Sequence, residues 1–160
     1  MDRVWLFTDG STIKNPGPGG WAFRKIFEDG GFEEDSGWET TTTNNRMELL
    51  AVIKGVQSLA RPSLIYVHTD STYVMDGFEK DRVAKWKRFG WTTFTGSPVL
   101  NRDLWEWLDN LLARHQVAWV KVKAHSGNPD NDAVDVLARG AAYVAAGEDP
   151  AKAKPFRRVK

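Results

Sequence analysis

The chain has 160 residues, 22 Lys plus Arg against 21 Asp plus Glu, a formal net charge of +1 and 41% hydrophobic residues. That length and apolar content fit one domain with a sizeable core, and the near-neutral charge excludes both a disordered polyelectrolyte and a uniformly basic coat. There is no cysteine, which excludes a disulfide framework and thiolate metal sites; no apolar run has the length of a signal peptide or membrane span, so a cytoplasmic protein without a membrane partner is expected.

Residues 3–8, Arg-Val-Trp-Leu-Phe-Thr, predict a buried strand that ends in a turn at Asp9-Gly10. Residues 15–20, Asn-Pro-Gly-Pro-Gly-Gly, are dense in turn formers and read as a loop. Two further strands, 21–27 and 32–38, flank Asp29-Gly30-Gly31, which gives a three-strand antiparallel meander. From Asn45 the apolar residues Met47, Leu49, Leu50, Val52, Ile53, Val56 and Leu59 predict a helix packed on a sheet and stopped by Pro62. A short apolar run, 64–69, follows, and strand, helix, strand in succession implies a right-handed crossover to a parallel neighbour. Leu104, Trp107, Leu108, Leu111 and Leu112 predict another helix after Asn101; residues 117–122 read as a fifth strand. A last helix carries Val134, Leu137, Ala138, Ala141, Ala142 and Ala145 and is stopped by Gly147 and Pro150. The expected class is therefore α/β with a five-stranded mixed sheet. Residues 1–147 form the domain, and 148–160, with Lys152, Lys154, Arg157, Arg158 and Lys160, read as a basic, flexible tail.

Asp9 and Asp70 each stand just past a predicted strand, where ligands gather in open sheets. Glu48 lies early in the long helix and Asp135 early in the last one, after the loop His125-Ser126-Gly127-Asn128-Pro129. If those ends converge, the gathered negative charge calls for a cation, and hard oxygen ligands suit Mg²⁺ or Mn²⁺. Two such ions about 4 Å apart serve in-line phosphodiester hydrolysis. Each acid also has a purely structural explanation. Asp9-Gly10 and Asp70-Ser71 suit turns, Glu48 could close a capping box on Asn45, and Asp135 could pair with Arg139 at i, i+4. His125 equally suits a turn. Residue types and spacing leave both readings open.

The local sequences go further. Phe7-Thr8-Asp9-Gly10-Ser11 followed by Asn15-Pro16-Gly17-Pro18-Gly19-Gly20, then Thr43-Asn44-Asn45-Arg46-Met47-Glu48-Leu49, Thr69-Asp70-Ser71-Thr72-Tyr73-Val74, Lys123-Ala124-His125-Ser126-Gly127-Asn128 and Asp135-Val136-Leu137-Ala138-Arg139 resemble, in order, the blocks of type 1 ribonuclease H. The resemblance spans residues 4 to about 145. It implies the ribonuclease H-like fold and a monomeric endonuclease that cuts the RNA strand of an RNA–DNA hybrid with two Mg²⁺ ions, Mn²⁺ being a possible substitute. The products would carry 5′-phosphate and 3′-hydroxyl ends. By position, Asp9 would bridge both metals, Asp135 would complete the water-activating site, and Glu48 and Asp70 would hold the metal on the leaving-group side. His125 would assist proton movement or product release.

The same resemblance implies substrate contacts. Asn15, Asn44 and Asn45 match positions that touch the hybrid, Thr43 one that seats a DNA phosphate, and Thr72 replaces an expected glutamine. Reading the 2′-hydroxyl needs groups that donate and accept hydrogen bonds, which amides do. Lys80, Arg82, Lys85, Trp86, Lys87, Arg88 and Trp91 interleave bases with indoles, a pattern suited to a nucleic-acid groove and, equally, to a solvated helix with buried tryptophans. The family has a basic protrusion here. This chain is less basic after Trp91, and Arg82 stands where a tryptophan is expected, although Trp105 matches another family aromatic. Two other functions compete: a non-catalytic hybrid-binding module, and a DNA nuclease of resolvase or integrase type on the same fold. The four acids with His125 argue against the first, and the Asn44-Asn45 pair with the Asn15 loop against the second.

Overall fold

The computed structural model describes residues 1–155. Strands β1 (Asp2–Thr12), β2 (Gly17–Ile26) and β3 (Phe32–Thr42) form the antiparallel meander, and helix α1 (Asn44–Gln57) leads to β4 (Ser63–Thr69). Helices α2 (Thr72–Glu79), α3 (Arg82–Arg88) and α4 (Arg102–Leu112) precede β5 (Gln116–Lys121), and α5 (Pro129–Ala145) follows it. The sheet order is β3-β2-β1-β4-β5, with β4 parallel to β1 and β5 parallel to β4. The carboxyl ends of β1, β4 and β5 therefore share one edge.

Alternation along β1 divides the core between two faces. Leu6 points to the side of α1 and α4, into a cluster with Met47, Leu49, Ile53, Ile65, Val67, Trp105 and Leu108. Phe7 points the other way and packs with Ala22, Val134 and Ala138 under α5. Close approach on both faces depends on missing side chains. A Cβ on Gly55 would lie 2.7 Å from Leu6 Cδ1, and one on Gly20 would lie 2.3 Å from the Ala138 carbonyl oxygen and 2.6 Å from Ala142 N.

That packing corrects two sequence expectations. Residues 17–20 are not a loop but open β2: a Cβ on Gly19 would lie 2.4 Å from Thr42 Cγ2 of β3, and Gly20 is where α5 lies on the sheet. Nor does β1 stop at Thr8. It runs on to Thr12, and Asp9 pairs with Ala22 inside the ladder. The tail is also only partly as expected. Residues Pro150–Lys152 form a 3₁₀ turn capped by Asp149, whose side chain accepts from Ala151 N at 2.9 Å. Ala153 is buried, and Arg139 of α5 donates to the Lys154 carbonyl. Contacts with α5 thus run from Glu148 to Lys154, while 156–160 lie outside the described residues.

Candidate active site

Asp9 reaches the common strand edge from β1, and its Oδ1 accepts from Gly10 N at 2.9 Å. Gly10 lets α1 come close, since a Cβ there would lie 2.5 Å from Glu48 N. This contact brings Glu48 over Asp9. The helix is capped by Thr43, whose hydroxyl accepts from Arg46 N at 3.3 Å, so Glu48 closes no capping box with Asn45. Asp70 follows β4 directly in a turn where Ser71 N donates to Thr69 Oγ1 at 3.0 Å and the Ser71 hydroxyl caps α2 through Val74 N at 3.2 Å.

Carboxylate oxygens of Asp9, Glu48 and Asp70 lie within 4.8 Å of one another. Asp135 and His125 line the same cleft, of about 410 Å³, together with Ser11, Asn44, Asn45, Thr72 and Tyr73. Asp135 makes the ion pair that its spacing allows: its Oδ2 accepts from Arg139 Nε at 3.1 Å and Nη2 at 3.0 Å. The functional and structural readings of this residue therefore coexist. His125 sits at φ 57°, in a loop that turns again at Gly127.

Burial governs the electrostatics. It pushes the Asp9 carboxyl up from 3.8 to about 8, and the charges of Asp70 and Asp135 add to the rise while the hydrogen bond with Glu48 opposes it. Glu48 is pushed well above its ordinary value by burial first, then by Asp9 and Asp70. Asp70 is raised by burial and pulled back by the positive charge of Lys121. The Glu48 Oε2 atom is enclosed and has no hydrogen-bond partner. A buried oxygen without a donor, beside two further carboxylates, is a costly arrangement that a hard divalent cation relieves. The donor set fits such an ion.

The expected substrate residues separate into two groups. Near the cleft, Asn44 accepts from Thr12 Oγ1 at 2.8 Å, and its backbone N–H donates to Asn15 Oδ1 at 3.2 Å. Asn45 and Thr72 stand at the helix starts that rim the cleft, and both are exposed. The protrusion behaves differently. Trp105 is fully enclosed, edge-on to Trp86 with ring centres 5.5 Å apart and donating its indole N–H to Tyr73 Oη at 3.1 Å, so it supports the protrusion and cannot touch a hybrid. Trp86 is half-buried and also packs against Trp91, 6.3 Å away. Lys87 is tied to Asp109 at 2.8 Å, whereas Lys85 and Arg88 are exposed.

Two contributors carry no clear sequence signal of their own. Lys121 donates to the Asp70 carbonyl; it is the strand-end partner of Thr69 on a parallel neighbour, a placement that strand order would have suggested. Arg46 holds Asp103 through bonds of 2.8 and 3.0 Å and Asn101 at 3.3 Å, fastening the start of α1 to α4. Its partners are more than 50 residues away, and no local signal marks them.

The RNase H family model matches residues 1–143. Ribonuclease HI of Xylella fastidiosa strain 9a5c is 49% identical over 142 residues, 89% of this chain and 93% of that protein. Ribonuclease H of Nitratidesulfovibrio vulgaris strain DP4 is 50% identical over 140 residues, 87% of this chain and 88% of the relative. Among solved structures, LC9-RNase H1, a type 1 RNase H with the type 2 active-site motif, aligns with a TM-score of 0.79 and 28% identity over 92% of this chain and 74% of that one. With the acidic cleft at the sheet edge and a match across nearly its whole length, the chain belongs to the ribonuclease H family.

Proposed function

We propose that this chain is an endonuclease that hydrolyses the RNA strand of RNA–DNA hybrids, with 5′-phosphate and 3′-hydroxyl products. The observation that carries the reading is the convergence of Asp9, Glu48 and Asp70 within 4.8 Å in a cleft shared with Asp135 and His125. Asp9, Glu48, Asp70 and Asp135 would hold two divalent cations, Mg²⁺ by preference and Mn²⁺ as a substitute. When bound, such ions supply Lewis acidity and an activated water.

The protein's own groups supply the rest. Asp9 and Glu48, whose carboxyls burial pushes up, would give a bound cation its oxygen ligands, and Glu48 Oε2 would gain the partner it lacks. Arg139 fixes the orientation of the Asp135 carboxylate. His125, at the cleft wall, moves a proton during bond cleavage or product departure. Asn15, Asn44 and Asn45 present amides where a 2′-hydroxyl can be read, Thr43 seats a phosphate beside its cap, and Lys85 and Arg88 of the protrusion attract the backbone. The same reading carries a cytoplasmic, monomeric enzyme.

The test uses an end-labelled RNA strand in a hybrid, beside single-stranded RNA, duplex RNA and duplex DNA, each with Mg²⁺ or chelator. Metal-dependent cleavage confined to the hybrid's RNA is expected. Tight hybrid binding without cleavage under any metal would leave a binding module, and cleavage of DNA would redirect the assignment to another nuclease on this fold.

A further inference from the structure

We propose that Arg24, on β2, is a positioning residue for His125: it clamps the first turn of α5 through Asp130 and so fixes the downstream end of the loop that carries the histidine. The inference rests on the role given to His125 above.

Arg24 is unusual for its place in the sheet. Its side chain is only 17% exposed and forms a fork, with Nη1 3.1 Å from Asp130 Oδ1 and Nη2 2.8 Å from Glu34 Oε2. Nε donates to the same Glu34 oxygen at 2.9 Å, and the guanidinium lies 4.2 Å from the centre of the Phe32 ring. Glu34 and Phe32 belong to β3, so the guanidinium is held by the sheet on one side and grips α5 on the other. A planar group bound this way has little freedom, and what it holds is held in one place.

The loop between β5 and α5 is tethered at both ends. Upstream, Val122 N donates to the Thr69 carbonyl at 3.0 Å, next to Asp70. Downstream, Asn128 caps α5 by accepting from Asp130 N at 3.0 Å and Asn131 N at 3.1 Å. Asn128 and Asp130 are neighbours in the same turn and fix each other, and Asn131, 3% exposed, packs beneath it. Arg24 adds the charged link from this turn to β2, across 106 residues of sequence. With one end of the loop pinned beside Asp70 and the other pinned to the sheet, the span that carries His125 is held at the cleft wall.

The effect should be confined to the loop. From Val134 onward α5 is locked by packing: Val134 and Ala138 are fully buried against Phe7 and Ala22, and the helix rests on Gly20. Asp135 has its own partner in Arg139. Loss of Arg24 therefore loosens the first turn and the loop and leaves the Asp135 carboxylate where it is.

The experiment has two arms. In steady-state cleavage of a hybrid, Arg24→Met should lower kcat about tenfold with KM little changed, and Arg24→Lys, which keeps one donor, should recover part of the loss. In a His125→Ala background Arg24→Met should be silent, because the group it positions is gone. An equal loss in that background, or full activity with His125 intact, overturns the proposal. The second arm does not depend on activity. Amide exchange at Asp130, Asn131 and Asp132 should speed up about tenfold in Arg24→Met while exchange at residues 137–142 stays unchanged. Loosening of the whole helix, or of none of it, contradicts the clamp. A wild-type chain that cuts no hybrid would defeat the functional reading, and the exchange arm would still decide whether Arg24 holds the turn.

Discussion

The acidic cleft and the protrusion both carry residues suited to nucleic-acid chemistry, and the structure uses them in opposite ways. In the cleft, carboxylates from β1, α1 and the turn after β4 come together, and Glu48 Oε2 is left buried without a donor. In the protrusion, the aromatics that looked available turn inward. Trp105 is fully enclosed, Trp91 is 9% exposed, and Trp86 packs on both. What the protrusion shows to solvent instead is Phe89 at 65% and Phe94 at full exposure, with Lys85 and Arg88. The difference is physical. A buried carboxylate is so costly that one placed at a strand edge and matched by others has few structural explanations, whereas an indole serves a core as well as a nucleic acid.

The largest effect should come from the cleft. Asp70→Asn keeps the shape but removes a ligand charge, and it should lower turnover by at least about 100-fold without lowering the melting temperature, since it relieves repulsion with Asp9 and Glu48. A variant that retains turnover would break the contrast, because Asp70 would then be only a turn former. The matching change beneath the protrusion, Trp105→Ala on α4, should act through stability alone. It should cost about 3 to 5 kcal/mol in denaturant unfolding, with the hybrid affinity of the remaining folded protein preserved. A loss of affinity without a loss of stability would restore Trp105 to the substrate surface.

A third test uses pH in the metal-free protein. The Asp9 carboxyl is raised from 3.8 to about 8 in the folded state, so between those values the native chain binds more protons than the unfolded one. Stability should therefore fall as pH rises through that window, and Mg²⁺ should offset the fall by replacing the proton. Thermal melts at pH 5 and pH 8, with chelator or with Mg²⁺, read this directly. The smallest effect belongs to the exposed bases: Lys85→Ala or Arg88→Ala should weaken hybrid binding a few-fold and make it less sensitive to salt, the logarithmic slope falling by about one for each phosphate that is no longer neutralised. Lys87→Ala, whose charge is already committed to Asp109, should change that slope less.

Much of this was legible in the sequence because it is local. The helix from Asn44 shows in its apolar spacing, and the order of strands and helices predicts the mixed sheet. Each acid stands in a recognisable block. What could not be read depends on partners far along the chain. Gly20 looks like a turn residue until α5 lies on it, and Asp9 looks like one until β2 pairs with it. The burial of Trp105 requires Gly77, where a Cβ would lie 2.4 Å from the indole ring, and neither residue announces the other. The contacts that residues 148–154 make with Arg139 and the surface of α5 carry no signal in their own sequence.

The most direct test of the cleft as a cation site that holds protons until it is loaded is a calorimetric Mn²⁺ titration at pH 7, in two buffers of different ionisation enthalpy. The raised Asp9 and Glu48 carboxyls predict that binding releases protons, and that Asp9→Asn reduces both the affinity and the release. Binding with no proton release, or binding unaltered by Asp9→Asn, would contradict the account.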